Sequence, residues 1–332
     1  MMSVPVRDTP TQAPSHLTPG RFYAGRMARS PDRREGCVVR VVMTGARGLI
    51  GSWAADELVR AGHEVVSVIR EKSEVAEGLL LAQEEVIADA GDPRVLKRVC
   101  DGADGLVHLA AIPSPVGSTA RELIEANTVT TVNVLEAAGE GGITAAVIAS
   151  SASVLGMAWC KDLMAPCYLP VDEHHPLRPT EGYALSKEAD EAAARMASRR
   201  WGMSIFALRF PFTHTRDVLL ARATDPSAEQ EFSLARELWG YLDVRDAAQA
   251  IRLCLDVASD ESTRECTVLN IMADDVLINE ELAVLMKQWH PSVGDIPGTI
   301  RGAYDVSRAA ARIGFRAEHL LRGEPGRASR ER

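Results

Sequence analysis

Val38-Val39-Arg40-Val41-Val42-Met43-Thr44-Gly45-Ala46-Arg47-Gly48-Leu49-Ile50-Gly51 carries an apolar run into three spaced glycines and then into a helical pattern. The order reads as strand, tight turn, helix. Each glycine has its own use in such a turn: Gly45 turns the chain off the strand, Gly48 lets a pyrophosphate approach the backbone, and Gly51 lets helix and strand pack closely. The helix opening near Leu49 and Ile50 would aim its unpaired N–H groups at the phosphates. Any glycine-rich turn can follow a strand, so the context decides. Trp53, Ala54, Leu58 and Val59 recur at helical spacing, Ala61-Gly62 ends that helix, and Val65-Val66-Ser67-Val68-Ile69 completes a β-α-β unit.

The tip of that second strand is where a dinucleotide-binding unit places an acidic residue on the adenosine ribose; here it reads Ile69-Arg70. Arg70 can pair with a 2′-phosphate, and Arg47 in the glycine turn can reach the same phosphate from the other side. Either arginine alone describes a solvated surface charge, but together they favour NADP over NAD.

Length and composition narrow the class. The chain has 332 residues, 46% hydrophobic and 25% charged, with a net charge of −9. That balance fits a soluble α/β protein with a smaller appended lobe and argues against nucleic acid as a partner. Apolar runs reach strand length only, which excludes a membrane span. Six cysteines, Cys37, Cys100, Cys160, Cys167, Cys254 and Cys266, lack metal-ligand spacing and suit free thiols in a cytoplasmic protein. Residues 1–36 hold five prolines, six arginines and no lysine, without a continuous apolar segment, and read as a disordered extension.

Further along, Val86 to Asp92 reads as a third strand running into an acidic turn, and Asp92-Pro93 starts a helix through Val95, Leu96 and Val99. Gly105-Leu106-Val107-His108-Leu109-Ala110-Ala111 reads as a fourth strand ending in small residues, with His108 packed at its end. One amphipathic helix is expected from about Ala120 to Ala138, then a fifth strand, Ala145 to Ala149, delivering Ser150-Ser151-Ala152-Ser153 at its carboxyl end. Ligands bind at that edge of an open parallel sheet. A helix beginning near Glu181 then carries Tyr183-Ala184-Leu185-Ser186-Lys187.

Tyr183 and Lys187 are four apart and share a helix face, so the ammonium can reach over the phenol. A neighbouring cation favours phenolate, which makes tyrosine a usable acid/base near neutral pH. Ser151 can donate a hydrogen bond to the same substrate oxygen and polarise it. A Tyr and a Lys at this spacing are common on solvated helices. Their place after the glycine turn and the strand-end serines gives the pair weight.

The whole pattern resembles an extended short-chain dehydrogenase/reductase, of the group called NAD-dependent epimerase/dehydratase. The resemblance runs from about Val38 to Leu320 and rests on the glycine turn, Val107-His108-Leu109-Ala110-Ala111, Ser150-Ser151, Tyr183-x-x-x-Lys187 and Leu208-Arg209-Phe210-Pro211. It implies a doubly wound Rossmann sheet spanning residues 37–210, a small substrate-binding lobe over 211–322 with 243–271 returning to the core, and a frayed tail over 323–332. It also implies that Ser151, Tyr183 and Lys187 are catalytic, and that Asp89, with Ala90 beside it, meets the adenine. Leu109, Ala110 and Ala111 would line the cofactor, Asn127 would sit near the active-site end of the long helix, and Phe210-Pro211 would run beside the nicotinamide. Homodimers through two long helices are a further implication.

The lobe departs from the pattern of sugar-nucleotide enzymes in this group, which have a long segment and an arginine that clamps the diphosphate. Only Thr213 to Asp243 fill that interval, and Trp239 stands where the arginine is expected, with Arg216, Arg222 and Arg236 as candidate substitutes. A short cap carrying Phe212, Phe232, Trp239 and Tyr241 suits a smaller or less charged substrate. The expectation is an NAD(P)-dependent oxidoreductase transferring hydride at a carbonyl or carbinol carbon. The alternatives are an epimerase or dehydratase using transient oxidation and, from another class, a non-catalytic NADP sensor, against which the retained Tyr183 and Lys187 weigh.

Overall fold

The structure, a computed structural model, describes residues 39–224, 226–259 and 264–322. The expected extension at 1–36 and tail at 323–332 lie outside the described residues. The chain enters β1 (Arg40–Thr44), passes the glycine turn into α1 (Leu49–Arg60), and returns through β2 (Glu64–Ile69), β3 (Glu84–Ile87), α2 (Pro93–Cys100) and β4 (Gly105–His108). A continuous helical rod follows, made of α3 (Ala120–Leu123), a π-helical segment (Ile124–Val129) and α4 (Thr130–Glu140). Next come β5 (Ala145–Ser151), α5 (Gly182–Trp201), β6 (Ser204–Phe210) and β7 (Phe212–His214). The chain closes with α6 (Arg216–Ala223), α7 (Ala228–Arg236), β8 (Tyr241–Asp243), α8 (Val244–Ala258), β9 (Cys266–Asn270), α9 (Leu282–Trp289) and α10 (Ser307–Ile313).

Seven strands form one parallel sheet in the order β3-β2-β1-β4-β5-β6-β9, the expected doubly wound arrangement. Its central strands are apolar nearly without alternation because helices cover both faces. Val41, Met43 and Val147 pack with Leu58, Ala250 and Ile251 on one face. Val42, Leu106 and Ile148 pack with Leu96, Leu135 and Ala197 on the other. A third core, around Leu155, Leu238, Trp239, Tyr241 and Met286, belongs to the cap.

Three differences from expectation shape the fold around the site. The third strand begins at Glu84 rather than Val86, because it is the sheet's edge and tolerates two glutamates that break an apolar pattern. The long helix contains a π turn, which rotates Asn127 inward so that it is fully buried. There its amide accepts from the Ile112 N–H at 2.8 Å and donates to Ser186 Oγ at 3.0 Å, tying the loop after β4 to α5. The third is a parallel pair, β7 with β8, that supports the cap and has no signal in periodicity over three residues. No helix among the described residues is long and apolar enough to cross a membrane.

Candidate active site

A cavity of about 410 Å³ opens at the carboxyl edge of the sheet. The glycine turn forms one end of it. Gly45 has φ +74°, and a Cβ there would sit 2.7 Å from the Ala110 nitrogen; a Cβ on Gly51 would lie 2.0 Å from the Gly45 carbonyl oxygen. Only glycine fits either place. Helix α1 has no side-chain cap at Gly48 and no acidic residue in its first turn, so its leading N–H groups face the cavity without a competing carboxylate. A phosphate-bearing dinucleotide fits this cradle.

The middle of the cavity holds the expected catalytic residues. Strand β5 runs two residues beyond Ala149 and delivers Ser151 at its last position. Ser151 Oγ accepts the Ser153 N–H at 3.1 Å, which leaves its own proton to donate. Helix α5 starts at the Glu181 cap, whose carboxylate accepts the N–H groups of Tyr183 and Ala184 and fixes the first turn at the cavity wall. Ser151, Tyr183 and Lys187 all line this one cavity. Lys187 Nζ donates to the carbonyl of the half-buried Ala149 at 2.9 Å and to the buried Asp190 at 3.1 Å. An ammonium has three protons; two are committed and one remains.

Beneath these groups lies a buried brace. Arg209 grips Glu191 through two bonds of 2.8 and 3.0 Å, and Ser150 donates to the same carboxylate at 2.8 Å. Arg209 is 3% exposed and Glu191 wholly buried, so the pair is fully desolvated and each charge depends on the other. It joins β5, β6 and α5 under the serines. His108, packed at the end of its strand as expected, lies between Thr44 Oγ1 at 2.7 Å and Thr131 Oγ1 at 3.0 Å. Burial, then the nearby Lys187 charge, push its pKa down to about 3.

Of the residues expected at the cofactor, Gly45, Gly48, Leu49, Ile50, Gly51, Leu109, Ala111, Tyr183, Lys187, Phe210 and Pro211 line the cavity; Arg47, Arg70, Asp89, Ala90, Ala110 and Asn127 do not. Ala110 stands directly behind Gly45, while Asp89 turns onto the Gly91 N–H at 2.7 Å. Arg47 does not extend free: its guanidinium is bidentate on Glu85, at 2.8 and 2.9 Å. Arg70 is exposed at the tip of β2.

The far wall comes from the cap: Trp159, Phe212, Thr213, Arg236, Glu237 and Tyr304. Trp239 is 1% exposed and stacks edge-on to His290, filling with core the place where a diphosphate-clamping arginine was looked for. Of the three substitutes, Arg216 binds the Leu320 carbonyl, Arg222 pairs with Glu237 at 2.9 Å, and Arg236 reaches the cavity while donating to the Cys160 carbonyl at 2.9 Å. Burial raises the Glu237 pKa against the opposing pull of Arg222. Leu238 and Trp239 follow with φ of 51° and 53°, a left-handed pair of bulky residues held by the cap core. Among the cap aromatics, Phe212 faces the cavity beneath Arg222, whereas Phe232 packs on Trp289 and Tyr241 bonds Asp275. Glu237, Tyr304, Trp159 and Glu85 carried no sequence signal, since each reaches its place from a distant loop or an edge strand.

Comparison with known proteins places this geometry. The profile of the NAD dependent epimerase/dehydratase family matches residues 41–271. An L-arabinose 1-dehydrogenase (NAD(P)(+)) from Haloferax volcanii is 27% identical over 245 residues, covering 72% of this chain and 91% of that protein. Among solved structures, a short-chain dehydrogenase/reductase superfamily protein from Agrobacterium tumefaciens with bound NAD is 25% identical. It superposes with a TM-score of 0.63 over 85% of this chain and 93% of its own. A UDP-galactose 4-epimerase, also 25% identical, gives 0.62 over 85% and 94%.

Proposed function

Because this chain belongs to the NAD-dependent epimerase/dehydratase family, we propose that it is an NAD(P)-dependent oxidoreductase acting on a carbonyl or carbinol carbon of a small substrate. The observation that carries the reading is one cavity holding the glycine cradle, Ser151, Tyr183 and Lys187 together. Gly45, Gly48 and the first turn of α1 would hold the pyrophosphate, Leu109 and Ala111 would flank the dinucleotide, and Phe210-Pro211 would border the nicotinamide. Bound there, the nicotinamide supplies or accepts hydride.

The chain's own residues handle the proton. Tyr183 gives its phenolic proton to the substrate oxygen during reduction and removes it during oxidation. Lys187, tethered by Ala149 and Asp190, would hold the cofactor ribose with its remaining N–H, and its charge would favour the phenolate. Ser151 donates to the substrate oxygen and holds it against Tyr183. The cap supports a small substrate: Trp239 occupies the clamp position, and Arg236 with Glu237 closes the end of the cavity.

Exposed Val129 and Leu185 lie on the two long helices and are the apolar contacts we assign to a homodimer. Cys100, Cys160, Cys167, Cys254 and Cys266 are free, as in a cytoplasmic protein.

Incubation of purified protein with aldoses, L-arabinose included, and NAD⁺ or NADP⁺ tests the reading. Stoichiometric nicotinamide reduction, absent in Tyr183→Phe, is the expected result. Conversion of a sugar without net nicotinamide reduction would instead identify an epimerase.

A further inference from the structure

Arg47 leaves the glycine turn and crosses toward the edge strand β3. Its Nε and Nη2 donate to Glu85 at 2.8 and 2.9 Å, and its Nη1 donates to the Ser73 carbonyl. Both partners are largely covered, 15% and 13% exposed, and the pairing lowers the Glu85 pKa while raising that of Arg47. Arg70, one residue past β2, is exposed and has no partner among the described residues. The region where an adenosine ribose would lie therefore holds one free guanidinium, and a second that is already engaged by a carboxylate. Lys72 is the other cation whose field reaches Glu85.

We propose that Glu85 sets the choice between the two dinucleotides, by holding Arg47 in an ion pair that a 2′-phosphate has to break. A fork already satisfied on both oxygens of a carboxylate gains little by moving to a phosphate. The 2′-phosphate is then met by Arg70 alone, and NADH, which needs neither arginine, loses nothing. The wild-type protein accordingly accepts both dinucleotides with modest preference, and the carboxylate of Glu85 suppresses the stronger NADP preference that two arginines would produce. The inference rests on the dinucleotide reading above.

Fluorescence titration with NADPH and with NADH, on wild type, Glu85→Gln, Arg47→Gln and the double variant, tests it without any turnover. Glu85→Gln is expected to tighten NADPH about tenfold, the scale of one charge-assisted contact, and to leave NADH unchanged. The double variant removes the freed guanidinium and should lose that gain, which separates a released Arg47 from a loosened loop. If Glu85→Gln does not fold, Glu85→Asp draws the carboxylate back by one methylene and should give part of the gain. An NADPH-to-NADH ratio that Glu85→Gln leaves unchanged, or a gain that persists in the double variant, overturns the inference while the dinucleotide site stands. Failure of wild type to bind either dinucleotide overturns the site and the inference together.

Discussion

At the glycine-turn end of the cavity the walls are backbone and small side chains, Gly45, Gly48, Gly51, Ala111 and Ala149; at the cap end they are long side chains held by polar partners, Arg236 on the Cys160 carbonyl and Glu237 on Arg222. The first wall works by what it omits, since a Cβ added at Gly45 or Gly51 would collide with backbone. The second works by polar satisfaction, since the carboxylate of Glu237 is held by an ion pair and the guanidinium of Arg236 by a carbonyl. A dinucleotide common to many enzymes suits a wall of peptide N–H groups, and a substrate particular to one enzyme suits side chains that can be exchanged.

The sharpest way to break this contrast is at the junction. Tyr183→Phe removes only the transferable proton, so turnover should fall by about 10²–10⁴ while NADH affinity stays as in wild type. Loss of NADH binding in that variant would mean the tyrosine belongs to the cofactor wall instead. Gly51→Ala forces a methyl to within 2.0 Å of the Gly45 carbonyl oxygen, so the turn must shift. The expected result is a destabilisation of about 3 kcal/mol in denaturant melts together with lost dinucleotide binding.

On the cap side, Glu237→Ala strips Arg222 of its carboxylate and should raise the KM for substrate about tenfold, one charge-assisted contact, with NADH affinity untouched. A fall in NADH affinity would erase the division between the two walls.

The remaining test concerns the sheet beneath them and is read as a slope, small over any one pH step. His108 stays neutral in the fold down to about pH 3, whereas in the unfolded chain it takes a proton near its ordinary value of about 6.5. Between those values the unfolded state binds the extra proton, so stability falls as pH drops, by up to about 1.4 kcal/mol per pH unit, and is flat above. Melting wild type and His108→Asn at pH values on both sides of that ordinary value should show a shallower acid loss in the variant. Equal slopes would show that His108 titrates alike in both states.

The sequence by itself determined the sheet, the glycine turn and the shared helix face of Tyr183 and Lys187. Apolar runs with helical segments between them favour a parallel sheet, glycine suits the tight turn that follows its first strand, and a spacing of four places Tyr183 and Lys187 on one face whatever surrounds them. The family's motifs lie in these local patterns. Tertiary structure decided the rest, because it depends on which distant side chain arrives first. Arg47 read from its neighbours is a free cation, but folding brings Glu85 to it from an edge strand 38 residues on. Asn127, which the family resemblance sets near the active-site end of the long helix, sits in a π turn where its amide is spent on Ile112 and Ser186. Trp239 went into the cap core, and Glu237 became a cavity wall paired with Arg222. Backbone geometry is encoded within a few residues; charge pairing is settled only between segments that the fold brings together.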